Sequence, residues 1–261
     1  MHKSNKGKLA IVTGGASGIG AATVVTLARS GAHVVAADVD RHGADALVAG
    51  LRSEGLSCET CVLDMGDHEA VEAVVAELVR KLGGMDNCAV QTSDDDKAVV
   101  DVPPTLWMHL LGTNLVGPAI LARALIPSML ARGGGAFVHV ASAAGLRGED
   151  TRTCYGTAKA GLMGLSRSIA VQYGKEGIRS NCIAPGLVLT PAAEQTFDAS
   201  MLELFREYHQ TPELGRPEDV AETIAFLLSP AARFINGATI VNDGGFSAMA
   251  PIVPAMRAQT R

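Results

Sequence analysis

A tyrosine and a lysine four residues apart, Tyr155 and Lys159, are the pair in this chain best suited to acid-base chemistry. They open a run, Tyr155 to Tyr173, that reads as a helix, and residues at i and i+4 share one helix face. A phenol with a pKa of about 10 is a poor proton carrier at neutral pH. A lysine charge beside it favours the phenolate. Ser142 ends the apolar run Ala136 to Ala141, which places a hydroxyl at the carboxyl end of a strand. Taken alone, Tyr-x-x-x-Lys is an ordinary helix pair. The elements around it decide whether it does chemistry.

The first of those elements is a glycine loop. Lys8 to Thr13 is a short apolar run of the kind that forms a buried parallel strand. Thr13-Gly14-Gly15-Ala16-Ser17-Gly18-Ile19-Gly20 follows at once, and Ala21 to Ser30 reads as a helix closed by Gly31. Strand, glycine loop and helix together make a dinucleotide site. The glycines permit a tight turn, and the helix amino terminus offers free N–H groups to a pyrophosphate. His33 to Ala37 is a second strand, with Asp38 at its end. An acid about 20 residues past the glycine loop bonds the ribose 2′-hydroxyl of NAD and repels the 2′-phosphate of NADP. No arginine stands in the glycine loop to reverse that choice, although Arg41 is near. NAD is therefore the expected cofactor, with NADP second.

The remaining chain alternates in the same way. Arg41 to Glu54 is helical, and Ser57 to Leu63 is a strand ended by Asp64, an acid placed to cap the next helix or reach the adenine. Asp67 to Leu82 is a helix and Met85 to Val90 a fourth strand. Gln91 to Lys97, with Asp94-Asp95-Asp96, reads as a solvated acidic turn. Pro103 to Leu130 is one long helix that Pro118 should kink. It carries Asn114 in an apolar stretch, where an unbonded amide is costly; the plainest reading is a core amide bonded to backbone. A fifth strand runs to Ser142, and Ala143 to Cys154 is a charged loop. Ile178 to Ala184 is a sixth strand, turned by Pro185-Gly186. Thr190 to Gln210 carries Phe197, Met201, Leu204, Phe205 and Tyr208 at helical spacing. Pro217 to Leu228 is a helix, Ala238 to Val241 a last strand, and Ala250 to Arg261 an irregular tail. This alternation, without linker or repeat, predicts one doubly wound parallel α/β sheet over residues 1–261. Its ligand site should lie at the strands' carboxyl ends, where Thr13, Asp38, Asp64, Ser142 and Pro185 all fall.

Composition excludes several other functions. A 261-residue chain with 48% hydrophobic and 19% charged residues can bury a sizeable core. A net charge of −5 without a basic cluster argues against nucleic acid or an acidic membrane surface as partner. No uninterrupted apolar run reaches the ~18 residues of a membrane span, and Met1 to Lys8 lacks a signal-peptide core. A cytoplasmic protein is the default expectation. Five cysteines (Cys58, Cys61, Cys88, Cys154 and Cys182) make a disulfide framework unexpected. Cys58 and Cys61 form a C-x-x-C without a second pair, on a strand that points them to opposite faces. The scattered histidines suggest no metal site.

With these motifs in order, the chain resembles the single-domain short-chain dehydrogenase/reductase family from about Gly7 to Phe246. The matching residues are Thr13-Gly14-x-x-x-Gly18-x-Gly20, Asp38, Asp64, Asn114, Ser142, Tyr155-x-x-x-Lys159 and Pro185-Gly186-x-x-x-Thr190. The resemblance implies a Rossmann-type sheet of seven mainly parallel strands and a catalytic tetrad of Asn114, Ser142, Tyr155 and Lys159. It makes Tyr155 the general acid-base and Ser142 the donor to the substrate oxygen. Lys159 lowers the tyrosine pKa and bonds the nicotinamide ribose, and Asn114 holds a water linking the lysine to solvent. Thr190 and the backbone near Val188 orient the carboxamide. The cofactor set it implies is Gly14, Ser17, Gly18, Ile19, Gly20, Asp38, Asp64, Tyr155, Lys159, Pro185, Gly186, Val188 and Thr190. One departure stands out: where the family has Asn-Asn-Ala-Gly after the fourth strand, this chain has Val90-Gln91-Thr92-Ser93.

The reading that follows is an NAD-dependent oxidoreductase acting on a secondary alcohol or ketone, apolar or cyclic, beneath a lid at about 190–212. The charged loop 147–152 leaves a polar substrate open, and the aromatic stripe could instead pack on the domain or another subunit. A non-catalytic NAD-binding protein is the alternative that the missing Asn-Asn-Ala-Gly motivates. Epimerase, dehydratase or enoyl-reductase chemistry suits the glycine loop and the Tyr–Lys spacing less well. Family members are commonly tetramers, so a homo-oligomer, tetramer or dimer, is expected.

Overall fold

A computed structural model describes residues 5–83 and 96–260. In chain order the elements are β1 (Leu9–Thr13), α1 (Gly18–Arg29), β2 (His33–Asp38), α2 (Arg41–Ser53), β3 (Cys58–Val62), α3 (His68–Leu82), α4 (Pro104–Leu111), α5 (Gly117–Ala131), β4 (Gly135–Val140), α6 (Thr153–Tyr173), β5 (Ile178–Pro185), α7 (Pro191–Thr196), α8 (Ala199–Tyr208), α9 (Pro217–Leu228), β6 (Thr239–Asn242) and α10 (Val253–Thr260). β1, β2 and β3 pair in parallel in that order, and so do β4, β5 and β6. The expected fourth strand at 85–90, the Val90-Gln91-Thr92-Ser93 segment and Cys88 lie outside the described residues.

Alternation along each strand sorts side chains onto two faces. Val12, Val34, Ala36 and Val138 face α1, α2 and α9, meeting Val24, Leu27, Val48, Ile224 and Leu227. Ile11, Val35, Ala37 and Phe137 face α3, α5 and α6, meeting Val71, Val75, Leu121, Leu125 and Ile169. Each cluster draws on both strand triplets, so helices cover both faces of a parallel α/β fold. Cys58 joins the first cluster and Cys61 packs against the second, as strand parity requires. Full burial of a leucine such as Leu121 contributes about 2 kcal/mol.

Three local expectations change. The helix expected over 103–130 is broken by a π-helical turn at Gly112–Val116. There Gly117 comes so close to β3's downstream loop that a Cβ on it would sit 2.2 Å from the carbonyl oxygen of Met65. The continuous stretch Pro104–Ala131 is long and apolar enough to cross a membrane. Here it buries Leu121, Ala122, Leu125 and Met129 in the core beneath the sheet. The stripe at 190–210 forms two helices rather than one, because Asp198 caps a new helix by accepting from the Met201 N–H at 2.9 Å. The tail is not irregular throughout: residues 253–260 are helical.

Candidate active site

The carboxyl ends of β1, β4 and β5 open onto a cavity of about 480 Å³. Its floor at one end is the glycine loop. Gly15 donates to the carbonyl of Ala37 at 3.1 Å, which ties the loop to the end of β2. Gly14 and Gly18 have φ of +66° and +50°, a region that glycine occupies without strain. A Cβ on Gly20 would stand 1.8 Å from the carbonyl oxygen of Gly14, so only glycine allows α1 to start this close to the turn. Ser17, Gly18, Ile19 and Gly20 line the cavity at the amino end of α1.

Asp38 is buried at the end of β2, and its carboxylate accepts from the N–H groups of Ala16 (2.9 Å) and Asp40 (2.9 Å). It therefore braces the glycine loop as well as standing beside it, and it does not line the cavity itself. Asp64 also lies outside the cavity, exposed, with its side chain accepting from Gly66 N–H at 2.7 Å. The reading of Asp64 as a helix cap is corrected: Asp67 caps α3 by accepting from Ala70 N–H at 3.0 Å.

At the other end stand Ser142, Tyr155 and Lys159, all lining the cavity. Ser142 follows β4, and its hydroxyl accepts from Ala144 N–H at 3.2 Å, which holds the turn out of the strand. Tyr155 and Lys159 sit one turn apart on α6 and are 4% and 0% exposed. The ammonium donates to the carbonyl of Val140 at 3.0 Å and lies 5.4 Å from the Tyr155 ring centre. Burial pushes Lys159 down to about 7, and the charge of Arg152 adds to that effect. Burial also raises the Tyr155 phenol, against which Arg152 and the Ser142 hydroxyl pull it down. The expectation of a phenol with a net depressed pKa is thus reversed, because desolvation of a nearly buried phenolate outweighs its neighbours.

Pro185, Gly186, Val188 and Thr190 line the same cavity. A Cβ on Gly18 would meet Thr190 Cγ2 at 3.0 Å, so the segment after β5 closes against the glycine loop. The Thr190 hydroxyl caps α7, accepting from Ala193 N–H at 3.2 Å. Asn114 does not line the cavity, although the π turn that carries it packs against α6. It is 0% exposed in the π turn, and its amide has no hydrogen-bond partner among the described residues, contrary to a backbone-bonded core amide. The remaining wall is aromatic: Phe197, Phe205, His209 and Phe246. Phe197 and Phe205 meet edge to face at 5.3 Å, while Met201 and Leu204 of the same stripe point to solvent.

Two residues escaped the sequence reading. Asp96, expected in a solvated turn, accepts from Tyr155 N–H at 2.6 Å and so caps α6. Nothing in the sequence signals a cap 59 residues away. Arg152 stands at the amino end of α6 with φ +68°, and its guanidinium lies 4.1 Å from the Tyr155 ring centre. Its i, i+3 spacing to Tyr155 was the available signal. Among the described residues no group of three metal-ligating side chains converges.

The residues present fit a nicotinamide dinucleotide. The glycine cradle leaves room for backbone approach, α1 aims its amino end at the cavity, and polar groups stand at both ends of it. Residues 14–247 match the family model described as enoyl-(acyl carrier protein) reductase. A probable short-chain type dehydrogenase/reductase of Bradyrhizobium diazoefficiens is 39% identical over 251 residues, covering 94% of this chain and 89% of the relative. A 7α-hydroxysteroid dehydrogenase solved with NADH and 7-oxo glycochenodeoxycholic acid superposes with a TM-score of 0.89 at 28% identity, covering 94% and 96% of the two chains. A gluconate 5-dehydrogenase from Burkholderia cenocepacia, solved with NADP and tartrate, superposes equally well, with a TM-score of 0.89 at 26% identity and coverage of 95% and 98%. The glycine cradle, the Tyr–Lys pair facing it across one cavity and these similarities lead to one conclusion: the chain belongs to the short-chain dehydrogenase/reductase family of oxidoreductases.

Proposed function

We propose that the protein transfers a hydride between NAD(H) and the carbinol carbon of a secondary alcohol or ketone, with Tyr155 as general acid-base. The observation that carries this reading is that Ser142, Tyr155 and Lys159 line the same cavity as the glycine cradle. When bound, the nicotinamide supplies the hydride acceptor or donor. The protein's own groups do the rest. The Ser142 hydroxyl donates to the substrate oxygen and stabilises charge developing there. The Tyr155 phenolate takes the alcohol proton in oxidation, and the phenol returns it in reduction. Lys159, already on Val140's carbonyl, holds the ribose and keeps a positive charge beside the phenol. Asn114 carries its amide, unpaired among the described residues, to a water that connects Lys159 with solvent. Asp38 and Asp64 serve the adenosine end, and the segment Pro185 to Thr190 serves the nicotinamide end.

The choice of NAD rests on Asp38, whose carboxylate disfavours a 2′-phosphate. The aromatic wall of Phe197, Phe205 and Phe246 supports an apolar or cyclic substrate, with α7 and α8 as the lid over it. Exposed Val171 on α6 and Phe226 on α9 support burial between subunits of a homo-oligomer. The decisive experiment is Tyr155→Phe. Binding of the reduced cofactor, followed by its fluorescence, should persist while turnover of an active alcohol falls by at least ~100-fold. Unchanged turnover would sink the proposal.

A further inference from the structure

We propose that Arg152 is a positioning residue for catalysis, a second cation that acts with Lys159 to favour the phenolate form of Tyr155. This deepens the hydride-transfer reading above and rests on it for the role of Tyr155. The geometry carries it. The guanidinium carbon lies 4.1 Å from the Tyr155 ring centre, nearer than the Lys159 nitrogen at 5.4 Å. A planar cation at that distance over an aromatic face is attracted to it, and more strongly when the ring bears charge. Arg152 is the only residue other than glycine with a positive φ among the described residues, +68°. A bulky side chain in that region is strained, and such strain gathers at functional sites. The backbone there is pinned from a distant loop. Asp96 accepts from Tyr155 N–H, and Thr153 donates to the carbonyl of Lys97 through both its hydroxyl (2.9 Å) and its N–H (3.3 Å). These contacts fix the strained turn that aims Arg152 at the phenol ring.

The charged and titratable groups around the phenol can be named from each element. Lys159 comes from α6, Arg152 from the residue that precedes it, Glu149 from the loop before that, Asp96 from the loop before α4, and the Ser142 hydroxyl from the end of β4. Glu149 holds Arg152 at 3.8 Å and opposes it. Among these groups Arg152 and Ser142 act to lower the phenol, while burial and Glu149 raise it. Lys159 is the most buried of the set and donates to the carbonyl of Val140. In this arrangement the arginine adds a second positive charge to that of Lys159 beside the phenol.

The chain has three tyrosines, which makes the test direct. In a Tyr173→Phe/Tyr208→Phe background, the ultraviolet signal of tyrosinate reports Tyr155 alone. Read by stopped-flow pH jump, before unfolding can intervene, its titration should move to higher pH in Arg152→Gln and return most of the way in Arg152→Lys. Superimposable curves for Arg152→Gln and its parent, with α6 intact by circular dichroism, would overturn the proposal. This readout needs no substrate, so it stands apart from failure of the hydride-transfer reading, which would show as wild-type enzyme without turnover. With an active alcohol, Arg152→Gln should lower kcat/KM roughly tenfold at pH 7 and recover as the pH rises. A uniform loss at every pH marks a merely structural residue and would also refute the proposal.

Discussion

At the nucleotide end of the cavity, the hydrogen bonds and close backbone approaches that form the cradle join residues of the first two strand–helix units: Gly14, Gly18 and Gly20 in one turn, Gly15 on Ala37, and Asp38 on Ala16 and Asp40, with Thr190 closing over them from the segment after β5. At the substrate end, Tyr155 is fixed by Asp96 from 59 residues upstream, and the cavity wall is completed by Phe246 from near the end of the chain. The first end is held by backbone conformation and the absence of side chains. The second is held by side chains that meet only after the sheet has formed. A defect at the first should therefore act locally and completely, whereas defects at the second should be graded and sensitive to solution conditions.

The largest effect expected is at Gly20. In Gly20→Val the added carbon would enter the space of the Gly14 carbonyl, so the cradle must open. Overpacking of this kind costs about 1–3 kcal/mol of stability. Cofactor binding, read by titration calorimetry, should disappear; retained affinity would break the contrast between the two ends.

Beneath the substrate end lies a buried imidazole. His139 on β4 is 1% exposed, stacks on Phe137 at 5.8 Å and has no hydrogen-bond partner for either ring nitrogen among the described residues. Burial, aided by the Lys159 charge, pushes it down from 6.5 to about 4. The folded state thus binds this proton less readily than the unfolded state. Its contribution is fully present above pH 6.5 and is lost as the pH falls to about 4. Chemical denaturation across that window should show a loss of about 3 kcal/mol that is absent in His139→Asn. An equal acid loss in the variant would remove His139 as its cause.

Asp38→Asn tests the nucleotide end more gently. It keeps a side-chain carbonyl for one backbone N–H but removes the charge that excludes a 2′-phosphate. The ratio of kcat/KM for NAD over NADP should fall at least about tenfold. An unchanged ratio would assign cofactor choice to another residue. The smallest effect is at Asp96. Asp96→Ala removes one helix cap, at a cost of about 1 kcal/mol in stability. kcat should fall several-fold while cofactor affinity holds, because the bond that is lost lies at the amino end of α6. A matching loss of cofactor affinity would show that the two ends are not independent.

Much was legible from the residue order. Strand parity put Cys58 and Cys61 on opposite faces, and apolar runs marked β1, β2, β4 and β5, because both depend only on near neighbours. The glycine motif was readable for the same reason. The π turn at Asn114 was not, since it depends on how closely Gly117 approaches Met65 across the fold. Nor was the break between α7 and α8, where one carboxylate, Asp198, outweighed a continuous apolar stripe.

By itself, then, the sequence determined the parallel α/β architecture, the glycine cradle and the one-turn spacing of Tyr155 and Lys159, all properties of short segments. Only the tertiary structure decided the electrical setting of that pair. Burial raised the phenol and lowered the ammonium, and a strained Arg152, held by Asp96 and Lys97, became the nearest cation to the ring. Desolvation and long-range contacts exist only once distant segments have packed, so no local reading of the chain contains them.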